Sequence, residues 1–473
     1  MRVVTPLAGA APLLRAAATK HARHAAIISA GLRWPHRMFP GAGLLLDEFS
    51  AAALLTGTAI GGGFLALPHA TAPAGCVPSS IILLACWLFL LLEALIVADL
   101  VVDDALNQSL PNVTTASMAT LGRSAFGEVG GQAVSATFLV LMLATLVSQI
   151  SKGAELISSA IRLPLFALCG LISASAAAFA RLCPARLLGG VNAALTVGFV
   201  ASTCCLFGEG VRVADYSRLA RTDWSMCWMS LPTLLQLHVY CEVVPSICRM
   251  LGHERRRIRR AIVAGSVALL ALQLSWSTLG IAVSDFGGAL RTDPVEILLS
   301  GGRGVALAAA TRSTAATAIV TTILGTCVAL NTFVADALRP SRTSTRSSGM
   351  SARQDVAANG TRRGNGRLAA IFYAACVLTP AAIAASTTSA GAFFGAIDWA
   401  GAYPVALLWG LAPPLMALRI RMARHGTSSG VGSRARLSTA LYVALAALSA
   451  AFVGSNAVTD VTAMVGGGTS RWQ

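Results

Sequence analysis

Charge is what this chain has least of. Only 12% of its 473 residues are Asp, Glu, Lys or Arg and 55% are hydrophobic, against about 25% charged in a soluble domain. With a mean hydropathy of +0.69, that shortage excludes an ordinary water-soluble fold and indicates an all-α, polytopic membrane protein. Paired cysteine spacings are also missing. The 11 cysteines fall mostly within apolar runs and form no CxxC, which argues against a disulfide frame or a zinc site and leaves them as small packing residues. No HExxH, no GxSxG elbow and no lysine-bearing phosphate loop occurs, so the common enzyme signatures are absent and no cofactor or metal is expected. The net charge of +16 is confined to ends and connections. It reads as a topology signal, not as a nucleic-acid footprint.

Acids are missing altogether before Asp47, while Arg2, Arg15, Lys20, Arg23, Arg33 and Arg37 supply six positive charges. An acid-free, arginine-bearing segment over residues 1–46 predicts an organellar transit peptide, the alternative being a basic tail on the inner face. Serine is scarce there too, with Ser29 alone. That scarcity leaves plastid against mitochondrion open; the plastid inner envelope is the first expectation and a mitochondrial membrane the second. A plasma membrane or other endomembrane is expected if the segment is only a tail.

Apolar runs fill the rest. They predict about 11 spans, near 49–70, 79–102, 132–151, 163–181, 187–207, 229–250, 260–283, 312–337, 367–385, 393–418 and 437–455. The chain thus divides into spans one to eight (47–338), a Ser/Thr/Arg/Gly-rich disordered linker (339–366), and spans nine to eleven with a short tail (367–473). Arginines crowd the connections after spans six, eight and ten, whereas the one after span seven carries Asp285, Asp293 and Glu296. That alternation puts the N-terminus inside and the C-terminus outside. The connection at 103–131, with Asp103, Asp104 and Glu128 against Arg123, fits it poorly.

Two stretches interrupt the apolar pattern. Gly57-Thr58-Ala59-Ile60-Gly61-Gly62-Gly63-Phe64-Leu65-Ala66-Leu67-Pro68 has four glycines within the first span, and each interior glycine weakens a helix by roughly 1 kcal/mol. A broken span must face protein or a polar cavity, and its free N–H groups suit a carboxylate. In the sixth span Pro232 and Pro245 bracket His238, Tyr240 and Glu242. Pro245 is expected to free a backbone carbonyl near Cys241. Ionisable groups at this depth are functional candidates. Breaks in spans one and six would occupy equivalent places if the chain were built as two inverted five-helix halves. Glu93, in the second span, reads either as a proton-relay group or as a buried structural carboxyl. Asp99 reads as a solvated or paired charge at the membrane edge.

Several blocks together resemble the aromatic and hydroxy amino acid permeases, particularly tryptophan/tyrosine permeases and their plant plastid-type relatives. They are TGTAIGGGFLALPHATAPAG (56–75), CWLFLLLEALIVAD (86–99), LPTLLQLHVYCEVVPSIC (231–248), RRAIVAGS (259–266), NTFVADAL (331–338) and FFGAIDWAGAYPVALLWGLAPPLMA (393–417). The resemblance implies a leucine-transporter-type fold, a 5+5 inverted repeat with discontinuous helices 1 and 6 and an eleventh helix appended. It implies a proton-coupled symporter of tyrosine, tryptophan or similar amino acids. Gly57, Thr58, Gly61, Gly62 and Gly63 match the break that would hold a substrate carboxylate. Val239, Tyr240, Cys241 and Glu242 match the break whose carbonyls would face the ammonium, with His238 and Tyr240 beside the substrate's side chain. His69, His238 and Glu242 depart from the family's usual residues. The preferred proton-coupling candidate is Glu242, in the turn before Pro245, and Glu93 is its rival. The expected partners are an amino acid, protons and the lipid bilayer. The alternatives are transport of other neutral amino acids, coupling to Na⁺, and a non-transporting amino acid sensor on the same scaffold.

Overall fold

The computed structural model describes residues 40–107, 118–158, 161, 163–284, 293–300, 302, 304–337, 352–386, 389–425 and 433–465. The basic segment expected at 1–46 lies outside the described residues as far as residue 39. The linker expected at 339–366 lies outside them as far as residue 351, and from Ala352 onward the backbone is helical. The chain divides into two units, Met1–Ser50 and Ala51–Gln473. The described part of the first is the opening of one helix, and the architecture below is that of the second.

Among the described residues the structure is helical, with one isolated β-bridge between Gly75 and Thr222. The elements are α1 (Pro40–Ala59), a 3-10 turn (Gly62–Ala66), α2 (Leu67–Thr71), α3 (Cys76–Asn107), α4 (Met118–Ser158), α5 (Leu165–Leu182), α6 (Ala185–Val213), α7 (Cys227–Leu237), a 3-10 turn (Cys241–Val243), α8 (Val244–Met250), α9 (Arg255–Val283), α10 (Pro294–Leu299), α11 (Val305–Ala337), α12 (Ala352–Ser386), α13 (Ser389–Ala400), a π-helical stretch (Gly401–Leu411), α14 (Ala412–His425) and α15 (Ser433–Val465). Nine of the described helical segments are long and apolar enough to cross a membrane. The bent pair Leu46–Ala59 and Gly62–Thr71 makes a tenth. Helices overlie all eleven segments expected from the sequence, but the sixth is split: α7 and α8 are too short to cross singly. Span three also differs from its expected limits of 132–151. Its helix runs on to Ser158, so Lys152 and Glu155 are helical, with a kink at Gly127 (φ 72°, ψ −165°).

Sequence periodicity sets which face each helix buries. On α3, Val77, Ile81, Leu84 and Leu88 recur at helical spacing and are each 50% exposed, forming an outward stripe, while Leu83, Leu90, Glu93, Ala94 and Val97 are fully buried on the opposite face. Lipid is as apolar as leucine, so helix association relies on close packing of small residues and on hydrogen bonds. The backing of the first span follows that rule. Gly265 of α9 meets Ala52 and Leu55 of α1, and Gly280 meets Pro68 of α2. Thr56 Oγ1 also donates to the Gly265 carbonyl at 2.9 Å. One continuous helix therefore braces both halves of a broken one. The turn after α2 is fixed by Gly75, whose φ of +85° lies in the left-handed region. Asp223 N–H donates to the Ala74 carbonyl at 2.8 Å alongside.

Candidate functional site

The first break forms where the glycines stand. α1 ends at Ala59. Gly61 is extended (φ −120°, ψ −169°), and the two halves meet at 55°. Pro68 sits in the first turn of α2, where its missing N–H is harmless. The liberated backbone groups are partly retaken. Gly61 N–H donates to Ala59 O at 3.2 Å and Phe64 N–H to Gly61 O at 2.9 Å. Gly62 N–H donates to Thr322 Oγ1 of α11 at 2.8 Å, and Trp276 Nε1 of α9 donates to Phe64 O at 2.8 Å. A Cβ on Gly62 would stand 1.6 Å from Gln149 Oε1 of α4, so no larger residue fits while that amide is in place. Gly57 and Thr58 lie apart from this arrangement. They occupy the exposed last turn of α1, with Thr58 Oγ1 donating back to Leu54 O at 2.7 Å.

The second break lies beside the first. A Cβ on Gly63 would be 2.9 Å from Leu237 Cδ2, and Leu237 is the last residue of α7. His238, Val239 and Tyr240 leave the helix, and the chain resumes through Cys241–Val243 into α8, with Pro245 in its first turn. Pro245 does not leave the Cys241 carbonyl free as expected: Val244 N–H takes it, as Val243 N–H takes that of Tyr240. The 3-10 turn closes these bonds one residue earlier than an α-helix would. Leu237 O is held by Gln273 Nε2 of α9 at 2.8 Å.

The side chains separate by exposure. His238 and Tyr240 are fully buried. His238 Nδ1 lies 2.9 Å from Leu234 O. It must carry the proton to bond a carbonyl, which leaves Nε2 as an acceptor. The Tyr240 hydroxyl is buried without a hydrogen-bond partner among the described residues. Cys241 is buried, its Sγ 3.8 Å from Leu90 O, and it neighbours both Glu93 and Glu242. Val239 is half-buried and Glu242 exposed. Glu93 is fully buried, and neither of its oxygens has a hydrogen-bond partner.

Several groups that the sequence does not announce complete the picture. Gln149 Oε1, Gln236 Oε1 and Gln273 Oε1 are buried without partners, as are both Glu93 oxygens and His238 Nε2. Buried polar atoms are nearly always paired, so this concentration of unpaired acceptors on α3, α4, α7 and α9 marks a place suited to a ligand that donates. The glutamines neither ionise nor break a helix, so they carry neither of the signals that single out the two breaks. Thr233 Oγ1 donates to Asp398 Oδ1 of α13 at 2.9 Å, and Asp398 lies unmarked within an apolar block of the sequence. Further along α4, Lys152 is 2% exposed. Its Nζ lies 2.9 Å from Glu155 and 3.7 Å from Asp293, the N-cap of α10. The ammonium also lies 5.4 Å from the Phe393 ring and 5.9 Å from that of Phe394. His69 stacks on Phe394 with ring centroids 3.9 Å apart. A third span ending at residue 151 would put Lys152 in a loop.

Long apolar helices, two of them broken at adjacent points among unpaired acceptors, define an integral membrane protein with a polar site within its helices. The particular kind follows from comparison: residues 47–433 match the tryptophan/tyrosine permease family, and the chain belongs to that family. The tyrosine-specific transport system 2 of Haemophilus influenzae is 26% identical over 257 residues, which cover 52% of this chain and 61% of the relative. The match thus spans about three-fifths of that relative's length. Among solved structures, a mutant of the Eremococcus coleocola manganese transporter aligns with a TM-score of 0.49 at 13% identity, covering 89% of this chain and 96% of that one. A Na⁺-coupled sialic acid symporter in a substrate-bound, outward-open state aligns with a TM-score of 0.42 at 10% identity, covering 87% and 93%.

Proposed function

We propose that the protein is a secondary active transporter of aromatic amino acids such as tyrosine or tryptophan, a proton-coupled symporter working by alternating access. Membership of a permease family sets it among transporters, not enzymes. In this reading eleven helices cross the membrane in a leucine-transporter-type 5+5 inverted repeat, with the first and sixth discontinuous. One observation carries the proposal. The breaks at Gly61–Gly63 and His238–Tyr240 meet inside the helical body, where buried acceptors on four helices lack donors. An amino acid supplies what such a site needs: an ammonium for the acceptors, a carboxylate for backbone N–H groups, and a side chain for the surrounding apolar residues.

Coupling requires a titratable group that senses substrate. We place Glu93 ahead of Glu242, the candidate that the sequence favours. It is fully buried without a partner and neighbours Cys241 of the second break, whereas Glu242 is exposed. The test is uptake of labelled tyrosine and tryptophan into proteoliposomes, with and without a pH gradient. The parent protein is expected to concentrate substrate only when the substrate side is acidic, and Glu93→Gln is expected to equilibrate substrate without concentrating it. Accumulation driven by Na⁺ alone would replace the proton. Uptake of leucine or alanine in preference to aromatics would change the substrate, and saturable binding without flux would make the protein a sensor.

A further inference from the structure

We propose that Gln149 is a substrate-contacting residue whose side-chain carbonyl accepts a hydrogen bond from the α-ammonium of the bound amino acid. The inference rests on the transport reading above and names a contact within that site. Three observations support it. First, Gln149 is 2% exposed and its Oε1 has no partner, a costly arrangement unless something donates to it. Second, the orientation of the amide follows from its neighbours. Ser148 Oγ spends its only hydrogen on Thr145 O at 2.9 Å, so toward Gln149 it can only accept. Gln149 Nε2, 3.1 Å away, must therefore face Ser148, which turns Oε1 toward the first break. Third, the break itself cannot satisfy that oxygen through Gly62, because Gly62 N–H is already given to Thr322. The oxygen stands 1.6 Å from where a Gly62 Cβ would be. Glycine is what lets it reach the backbone at this point.

No protein group among the described residues donates to that oxygen, and in the proposed contact the substrate supplies the donor. The ammonium is the donor shared by every amino acid, whereas a phenol O–H or an indole N–H belongs only to tyrosine or tryptophan. Comparing the three aromatic amino acids separates these donors. Gln149→Leu keeps the bulk and removes the polar atoms. It is expected to weaken apparent affinity for tyrosine, tryptophan and phenylalanine alike by roughly ten- to a hundredfold, the loss of one hydrogen bond to a charged group. The order among the three should stay unchanged. Inhibition by 3-(4-hydroxyphenyl)propionate, which lacks the ammonium, should be the same in parent and variant. Gln149→Glu retains an acceptor at that place, with Ser148 Oγ turning its hydrogen from Thr145 O to the second carboxyl oxygen, and is expected to stay within a few-fold of the parent, which also guards against a folding defect in the leucine variant. The assignment is overturned if Gln149→Leu binds like the parent, if phenylalanine alone is spared, or if Gln149→Glu is as impaired as Gln149→Leu. A parent protein that takes up leucine or alanine in place of the aromatics would overturn the substrate reading instead, and the same variants measured on that amino acid would still decide the role of Gln149.

Discussion

The glycines of the first span differ in what surrounds them, and that difference is measurable. A Cβ on Gly57 would have nothing within 4 Å, whereas one on Gly62 would run into the Gln149 amide. Gly57→Ala is therefore expected to be neutral or slightly stabilising, by up to about 1 kcal/mol from helix propensity, with uptake unchanged. Gly62→Ala is expected to displace Gln149 and lower apparent affinity about tenfold or more. In a Gln149→Ala background, Gly62→Ala should cost much less, a coupling of roughly 0.5–3 kcal/mol in a double-mutant cycle. Additive losses would mean that Gly62 acts through something other than this contact. Residues at this scale were only partly legible. Glycine and proline announce broken helices because they alter the backbone itself, so Gly61–Gly63 and Pro245 stand out in the sequence. Gln149, Gln236 and Gln273 do not, because an amide on a helix takes its meaning from the groups left over once the chain has folded.

At the scale of elements, the polar edge of α4 shows what periodicity can reveal and what a misplaced helix end conceals. Thr145, Ser148, Gln149, Lys152 and Glu155 recur at helical spacing, and extending span three to Ser158 puts Lys152 and Glu155 on one helix with the others. The second partner of Lys152, Asp293 at the N-cap of α10, lies far away in sequence, and only the fold shows it. That contact should respond to pH. Burial pushes the Asp293 carboxyl up to about 6, with Lys152 pulling the other way. A carboxyl raised on folding contributes stability that is complete below its unfolded value, near 4, and is lost as pH rises through about 6. Protonating Asp293 does not strand the ammonium, since Glu155 is its nearer partner at 2.9 Å. Asp293→Asn keeps a side-chain acceptor for Val295 N–H while removing the titration. Parent and variant are expected to melt alike near pH 4. The parent should then fall behind by up to ~3 kcal/mol by pH 7. A difference that does not change across that range would rule out Asp293 as the titrating group.

At the scale of the whole molecule, the proposed eleven crossings carry a parity condition: connections tied together in the fold must lie on one face of the membrane. Asp99 and Asp103, at the end of span two, pair with Arg255 and Arg259, after span six. Four crossings separate the two connections, so an even count agrees. The pairing also accounts for Asp103, one of the three acids that fitted the positive-inside pattern poorly, because Arg255 of the same face neutralises it. On the other face, Lys152 at the end of span three meets Asp293 after span seven, again across four crossings. Asp215, after span five, bonds to Ala282 at the end of span seven, across two. Each tie that includes the sixth segment keeps its parity only if α7 and α8 together make one complete crossing. That is the feature least legible from length alone, because the break at His238–Tyr240 leaves neither half long enough. Single cysteines on a cysteine-free background provide the test. Ser225→Cys, Ser344→Cys and Ser470→Cys are separated by three crossings at each step, so an impermeant maleimide should label the first and third from one face and the second from the other. Ser225→Cys and Ser344→Cys reacting from the same face would make the sixth segment a re-entrant hairpin and break the inverted repeat. Ser344→Cys and Ser470→Cys reacting together would place the miscount among spans nine to eleven. Correct alternation with the faces exchanged would leave the fold intact and overturn only the orientation read from the arginines.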